Sequence, residues 1–140
     1  MYSFRALLKP DREVASFKKQ EIAILSDSSC QFLTKAIRGY GIKHSLNLSI
    51  WESPIDQIEN QIFNPLSEFY KKSFDTTIIF ESSHSLLNKF NSTSSKEEFS
   101  DTQFEMTKNR IDKLLESTQS KIILFHYYEI NDQIFGNNSS

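Results

Sequence analysis

The chain has 140 residues, a net charge of −2, 38% hydrophobic residues and one cysteine. That length suits one domain with one core, and twelve Phe and five Tyr supply bulky material for it. Lys and Arg form no basic stripe, Cys30 alone supports neither an internal disulfide framework nor a Cys-based zinc cluster, and no run approaches the roughly 20 apolar residues that span a bilayer, so the expectation is a cytoplasmic domain with no nucleic-acid or membrane partner.

Residues 11–20 read as a short helix that starts at Pro10-Asp11, with Val14 and Phe17 on one face. "EIAIL" (21–25) is a β-branched apolar run and predicts a buried strand. It ends in the polar elbow Ser26-Asp27-Ser28-Ser29. Ser28 or Ser29 is then placed to cap a helix over 29–39, whose apolar positions Phe32, Leu33, Ala36 and Ile37 keep helical spacing and which Gly39 and Gly41 terminate. "LNLSIWE" (46–52) alternates as a second strand. Residues 54–70 predict two helical pieces broken at Pro65. "TTIIFE" (76–81) is a third strand, and "SSHSLLNKF" (82–90) opens like a capped helix. The polar stretch 91–101 reads as a loop. Residues 97–118 carry a long helical pattern with Phe99, Phe104, Ile111, Leu114 and Leu115 apolar, and "KIILFHY" (121–127) is a fourth strand, followed by a closing loop.

Strands separated by helices imply parallel pairing through right-handed crossovers. Apolar strands without strict alternation fit a sheet covered on both faces. The expected class is therefore α/β: a three-layer, flavodoxin-like, mostly parallel sheet with strand order 2-1-3-4. In such a sheet ligands sit beyond the carboxyl ends of the strands, at the switch point. The loops 26–30 and 81–85 would face each other there, with His126 one strand further out.

"ILSDSSCQFLTKAIRGYG" resembles the first block of the SGNH/GDSL hydrolase fold, with its Gly-Asp-Ser turn after strand one. Together with "LNLSIWESPIDQIENQIFNPLSEFY", "DTTIIFESSHSLLNKF" and "KIILFHYYEINDQIFGN", it makes most of residues 20–137 resemble the N-terminal domain of FkbH-like proteins of the haloacid-dehalogenase superfamily, subfamily IIIC. The resemblance implies a single SGNH-like domain over 1–140, standing before a haloacid-dehalogenase-type, phosphatase-like domain that loads a glyceryl unit onto an acyl carrier protein. That downstream domain and the carrier protein are the implied partners; no cofactor is implied for this domain. Two departures stand out. Ser26 replaces the Gly of the Gly-Asp-Ser motif, and neither the Gly-x-Asn-Asp block nor the late Asp-x-x-His block occurs, so the implied module is catalytically degenerate. If a fifth strand is missing, a bare sheet edge implies self-association.

By the same resemblance Ser28 matches the nucleophile of a serine esterase, and His84, just past the third strand, is the candidate base. Backbone N–H groups at the start of the following helix are the candidate oxyanion donors, helped by the helix dipole; Asn64 lies too far from a strand end for that task. Ser26, Asp27, Ser29, Ser82, Ser83 and His126 are the candidate ligand contacts. Structural roles compete with each of these. Asp27, Ser28 or Ser29 can simply cap a helix, His84 can be an exposed first-turn residue, His126 a packed strand-end residue, and Cys30 a small packing residue. Asp27, Glu81 and His84 are the one set that could converge on a metal, but nothing in their spacing enforces it, and no metal site is expected. The readings that remain are a docking or ligand-binding module, a weak esterase using Ser28, and an anion-binding module using Ser26, Asp27 and Ser28.

Overall fold

The computed structural model describes residues 16–125 and Tyr127. In chain order its elements are β1 (Lys18–Ser26), α1 (Gln31–Lys43), β2 (Leu46–Glu52), α2 (Ile58–Phe63), β3 (Thr76–Phe80), α3 (Ser83–Ser92), α4 (Phe99–Ser117) and β4 (Lys121–Leu124). The four strands are parallel in the order β2-β1-β3-β4, the α/β sheet expected from the sequence. β1 is central, with Ile22 opposite both Ile50 and Thr76.

Alternate residues of β1 feed two cores, because successive strand side chains leave opposite faces. Ala23 and Leu25 pack with Ile79, with Ile58 and Ile62 of α2, with Phe69 and with Leu114 of α4. Ile22 and Ile24 pack on the other face with Ile50, Ile78 and Cys30, next to Leu33 and Ile37 of α1. Burial on both faces explains why these strands read as unbroken apolar runs. Among the described residues no helix is long and apolar enough to cross a membrane.

Several boundaries differ from the sequence-based expectation, each for a physical reason. Lys18–Gln20 belong to β1 and not to a helix over 11–20, because Lys18 lies opposite Leu46 and β2 extends the pairing past the apolar run; residues 11–15 lie outside the described residues. α1 does not stop at Gly39 but runs to Lys43, with both Gly39 and Gly41 buried inside it. A Cβ on Gly41 would stand 2.6 Å from Leu48 Cδ1 and 2.7 Å from its Cγ, so this glycine permits close helix–strand contact rather than ending the helix. The turn falls instead at Ser45, which has a positive φ of 57°. Only the first of the two pieces expected over 54–70 is helical, as Ile58–Phe63. The segment after Pro65 folds back by other means: the Gln61 carbonyl accepts from Ser67 Oγ at 2.8 Å, the Gln61 side chain accepts from Phe69 N–H at 3.1 Å, and the Ile62 carbonyl accepts from Tyr70 Oη at 2.6 Å. The polar loop is shorter than 91–101, since α3 continues to Ser92 and α4 starts at Phe99. On α4, Phe104 and Leu115 face solvent, while Arg110 and Leu114 face inward. β4 ends at Leu124, where Phe125 N–H still reaches the Ile79 carbonyl at 3.0 Å.

Candidate functional site

The loops after β1, β2 and β3 meet at the carboxyl end of the sheet. Ser26, the last residue of β1, donates its backbone N–H to Ser53 Oγ at 3.2 Å, which ties the first loop to the one after β2. Its hydroxyl folds back on its own loop. It donates to the Ser28 carbonyl at 2.7 Å and accepts the Ser28 N–H at 3.1 Å, and the Cys30 thiol donates to it at 3.2 Å. The Ser that replaces Gly in the elbow is therefore buried and organises the turn. No side chain caps α1: Cys30 holds the cap position and its thiol bonds back to the elbow, not to the first turn of the helix, so the capping role expected of Ser28 or Ser29 is not realised. Nor does Ser82 cap α3 with its hydroxyl. Burial raises the Cys30 thiol, only partly opposed by the Ser26 hydroxyl, and keeps it protonated.

Asp27 and Ser28 serve different cavities. Ser28 lines a space of about 190 Å³ with Ser29, Cys30, Glu52, Ser53 and Pro54, on the β2 side. Asp27 lines a space of about 120 Å³ with Asp56, Glu59, Glu81, Lys89 and Arg110, on the side of β3 and α4. Asp27 Oδ1 accepts the Ser82 backbone N–H at 3.0 Å, which joins the loops on either side of the switch point, and Oδ2 is buried with no hydrogen-bond partner among the described residues.

A buried ion network closes the second cavity. Arg110 Nε donates to Glu59 Oε1 at 2.7 Å, Arg110 Nη2 also contacts that oxygen, and Arg110 Nη1 donates to Glu81 Oε2 at 2.8 Å. Tyr127 Oη donates to the same Glu81 oxygen at 2.9 Å, and Lys89 Nζ lies 3.4 Å from Glu81 Oε1. The side chains of Arg110 and Glu81 are 4% and 6% exposed. Burial pushes the Glu81 carboxyl up, but Arg110, Tyr127 and Lys89 together outweigh it and hold the group below the usual glutamate range. Burial likewise works against the Arg110 charge, and its two glutamates more than restore it. Burial and the Glu81 charge push the Tyr127 phenol well above its ordinary range.

Of the expected site residues, Ser26, Asp27, Ser28 and Ser29 do lie at the carboxyl end of the sheet. Ser82 is bound to Asp27 through its backbone, Ser83 is buried at the start of α3, and His84 is exposed in the first turn. No hydrogen bond joins His84 to Ser28 among the described residues, and His84 lines neither of the two cavities. His126 lies outside the described residues. Asp27 and Glu81 share a cavity, but no three His, Cys, Asp or Glu among the described residues are gathered for a metal ion. Sequence reasoning missed Arg110, Glu59, Lys89 and Tyr127. The available signal was Arg110 itself, one helical turn from Leu114 and one from Met106.

Residues 21–140 match the family model described as FkbH, N-terminal domain. No curated protein sequence matches the chain. Among solved structures, the chain is similar to the crystal structure of the N-terminal part of the protein BF1531 from Bacteroides fragilis, containing a phosphatase domain and complexed with Mg. The two share 33% identity with a TM-score of 0.83 over 97% of this chain, which spans 36% of that one. With six-sevenths of its length matched by the family model, and 97% of it covered by that relative at 33% identity, this chain belongs to the FkbH N-terminal domain family.

Proposed function

We propose that residues 1–140 form the N-terminal module of a larger protein with a phosphatase-like domain, and that the module docks or binds ligand without hydrolysing it. The neighbouring domain handles acyl or glyceryl transfer to a carrier protein, and the loops at the carboxyl end of the sheet face that machinery. One observation carries the non-catalytic part of this reading: Asp27 and Ser28 turn into separate cavities, and no histidine among the described residues bonds to Ser28. A serine hydroxyl needs a base within hydrogen-bond reach to become a nucleophile. The crevice beside Asp27 is instead occupied by Arg110, Glu59 and Glu81, which lock one another in place. The family membership and the phosphatase domain of the Bacteroides fragilis relative support the setting.

The test is incubation with a serine-reactive fluorophosphonate and with a short-chain aryl ester. No adduct and no turnover above background are expected, for the chain and for Ser28→Ala alike. An adduct on Ser28 that disappears in Ser28→Ala would replace this reading with a weak esterase.

A further inference from the structure

We propose that residues 2–8 of this chain lie along the outer edge of β2 and seat Tyr2, Phe4 and Leu8 in the apolar groove between α1 and β2. The groove lies toward the amino end of β2, away from the crevice, and the inference does not depend on the docking reading.

Three observations converge. First, the groove is apolar and open. It measures about 350 Å³, and Ala36, Ile37 and Tyr40 of α1 face Leu46 and Leu48 of β2 across it. Tyr40 on its rim is 52% exposed, so nothing among the described residues covers it. Second, β2 is an edge strand whose outer side is only partly closed. Ser53 N–H donates to the Ile24 carbonyl, and Ile24 lies opposite Glu52, so Asn47, Ser49 and Trp51 turn their backbone groups toward β1. Leu46, Leu48 and Ile50 therefore turn theirs outward. Arg38 Nη2 reaches the Ile50 carbonyl at 2.9 Å and blocks the edge there, but among the described residues no strand lies beyond Leu46 and Leu48. An uncovered apolar edge is a template for another strand. Third, the chain ahead of β1 has the pattern and the starting point to cover it. Tyr2, Phe4, Ala6 and Leu8 alternate with Ser3, Arg5 and Leu7, the period of a strand with one apolar face, and Pro10 ends the run. β1 begins at Lys18, directly opposite Leu46 and so at the groove's own end of the sheet. Residues 9–17 reach about 30 Å when extended, whereas the place beyond β2 lies two strand spacings from β1, about 10 Å. The segment leads into the amino end of β1, so it runs antiparallel to β2, with its even-numbered side chains toward α1. Its tether keeps it within reach at every protein concentration, which favours it over a second copy. The family model starts at residue 21, so the segment lies outside the matched domain.

The experiment measures amide hydrogen exchange and nuclear Overhauser contacts by NMR on the full, isotopically labelled chain. Leu48 N–H is expected to exchange at least about tenfold more slowly than an unpaired edge amide, and the Phe4 ring should show contacts to the Leu48 methyl groups. The double variant Tyr2→Ser with Phe4→Ser should remove that protection. Asn47 and Ser49 N–H bond to β1 in either case, so their protection reports that the variant is still folded. Ala36→Glu, which puts a charge in the groove, should abolish the Leu48 protection and the Phe4 contacts while Asn47 and Ser49 stay protected. The proposal is overturned if Leu48 N–H exchanges freely in the unaltered chain, or if its protection survives either variant. It is overturned equally if that protection rises with protein concentration, which would assign the groove to a second copy. The Phe4–Leu48 contacts are read in the unaltered chain, so their absence overturns the proposal even where a variant fails to fold.

Discussion

Arg110 occupies a position on the inner face of α4 where an aliphatic residue would need no counter-charge. Its guanidinium is 4% exposed, and burying it is worthwhile only because Glu59 and Glu81 take up its donors in good geometry. Removing one member of such a group costs more than the group contributes, because the remaining charge is left buried. Arg110→Met should therefore destabilise the fold by about 3 kcal/mol, read as a lower urea midpoint at unchanged slope. Adding Glu81→Leu to that variant should restore part of the loss, since the stranded carboxylate is then gone. Sequence periodicity did not reveal this residue because Arg is ordinarily exposed. Of the apolar positions in the helical pattern, Phe104 and Leu115 are exposed, while the charged Arg110 is buried. Asp27 shows the opposite situation. Its place in the elbow was legible, but its hydrogen bond spans 55 residues of sequence to Ser82, and no local pattern encodes a partner that distant.

At the scale of elements, the strands were legible and the helix ends were not. β2 occupies the residues expected of it, because Leu46, Leu48 and Ile50 alternate with polar residues along it, and β3 differs by one residue, because a strand buried on both faces writes an uninterrupted apolar run. β1 was underestimated because its pairing continues through Lys18, Lys19 and Gln20, whose backbones bond while their side chains stay largely solvated. Gly39 and Gly41 carried the usual signal of a helix end, yet α1 passes through both. Tertiary contact decides the matter: α1 lies so close to β2 that a methyl group at Gly41 would fall 2.7 Å from Leu48 Cγ. Alanine is better than glycine in a helix by up to about 1 kcal/mol, whereas overpacking costs about 1–3 kcal/mol. Because the clash reaches Cγ and not merely a methyl end, the second effect should win. Gly41→Ala is expected to lower stability by about 1 kcal/mol, and Leu48→Ala in the same chain should abolish that penalty, a non-additivity measurable in a four-member denaturation cycle.

At the scale of the whole molecule, the strand order made the location of the crevice legible, since the loops after β1 and β3 leave the same end of the sheet at the point where the strand order reverses. What it could not convey is that successive residues Asp27 and Ser28 leave the strand end in different directions and so divide the crevice in two. One half is held by the ion network, which joins α2 through Glu59, the end of β3 through Glu81, α3 through Lys89, α4 through Arg110 and the exit of β4 through Tyr127. Elements far apart in sequence therefore share one set of charges, and stability should follow the titration of that set. The Glu81 pKa is lower in the folded chain than in the unfolded one, so its contribution is present above the unfolded value of about 4.3 and is lost as pH falls through the folded value. Tyr127 runs the other way. Its phenol holds its proton more tightly when folded, so its contribution is complete below the unfolded value of about 10 and declines as pH rises beyond it, where the unfolded chain ionises first. Unfolding free energy measured in urea from pH 3 to 11 should thus show a plateau with an acid limb and an alkaline limb. Tyr127→Phe should flatten the alkaline limb. It should also shift the acid limb upward in pH, because Glu81 loses one of the donors that hold its carboxyl down. An alkaline limb unchanged in Tyr127→Phe would mean that the Tyr127–Glu81 hydrogen bond does not couple the β4 exit to the buried network.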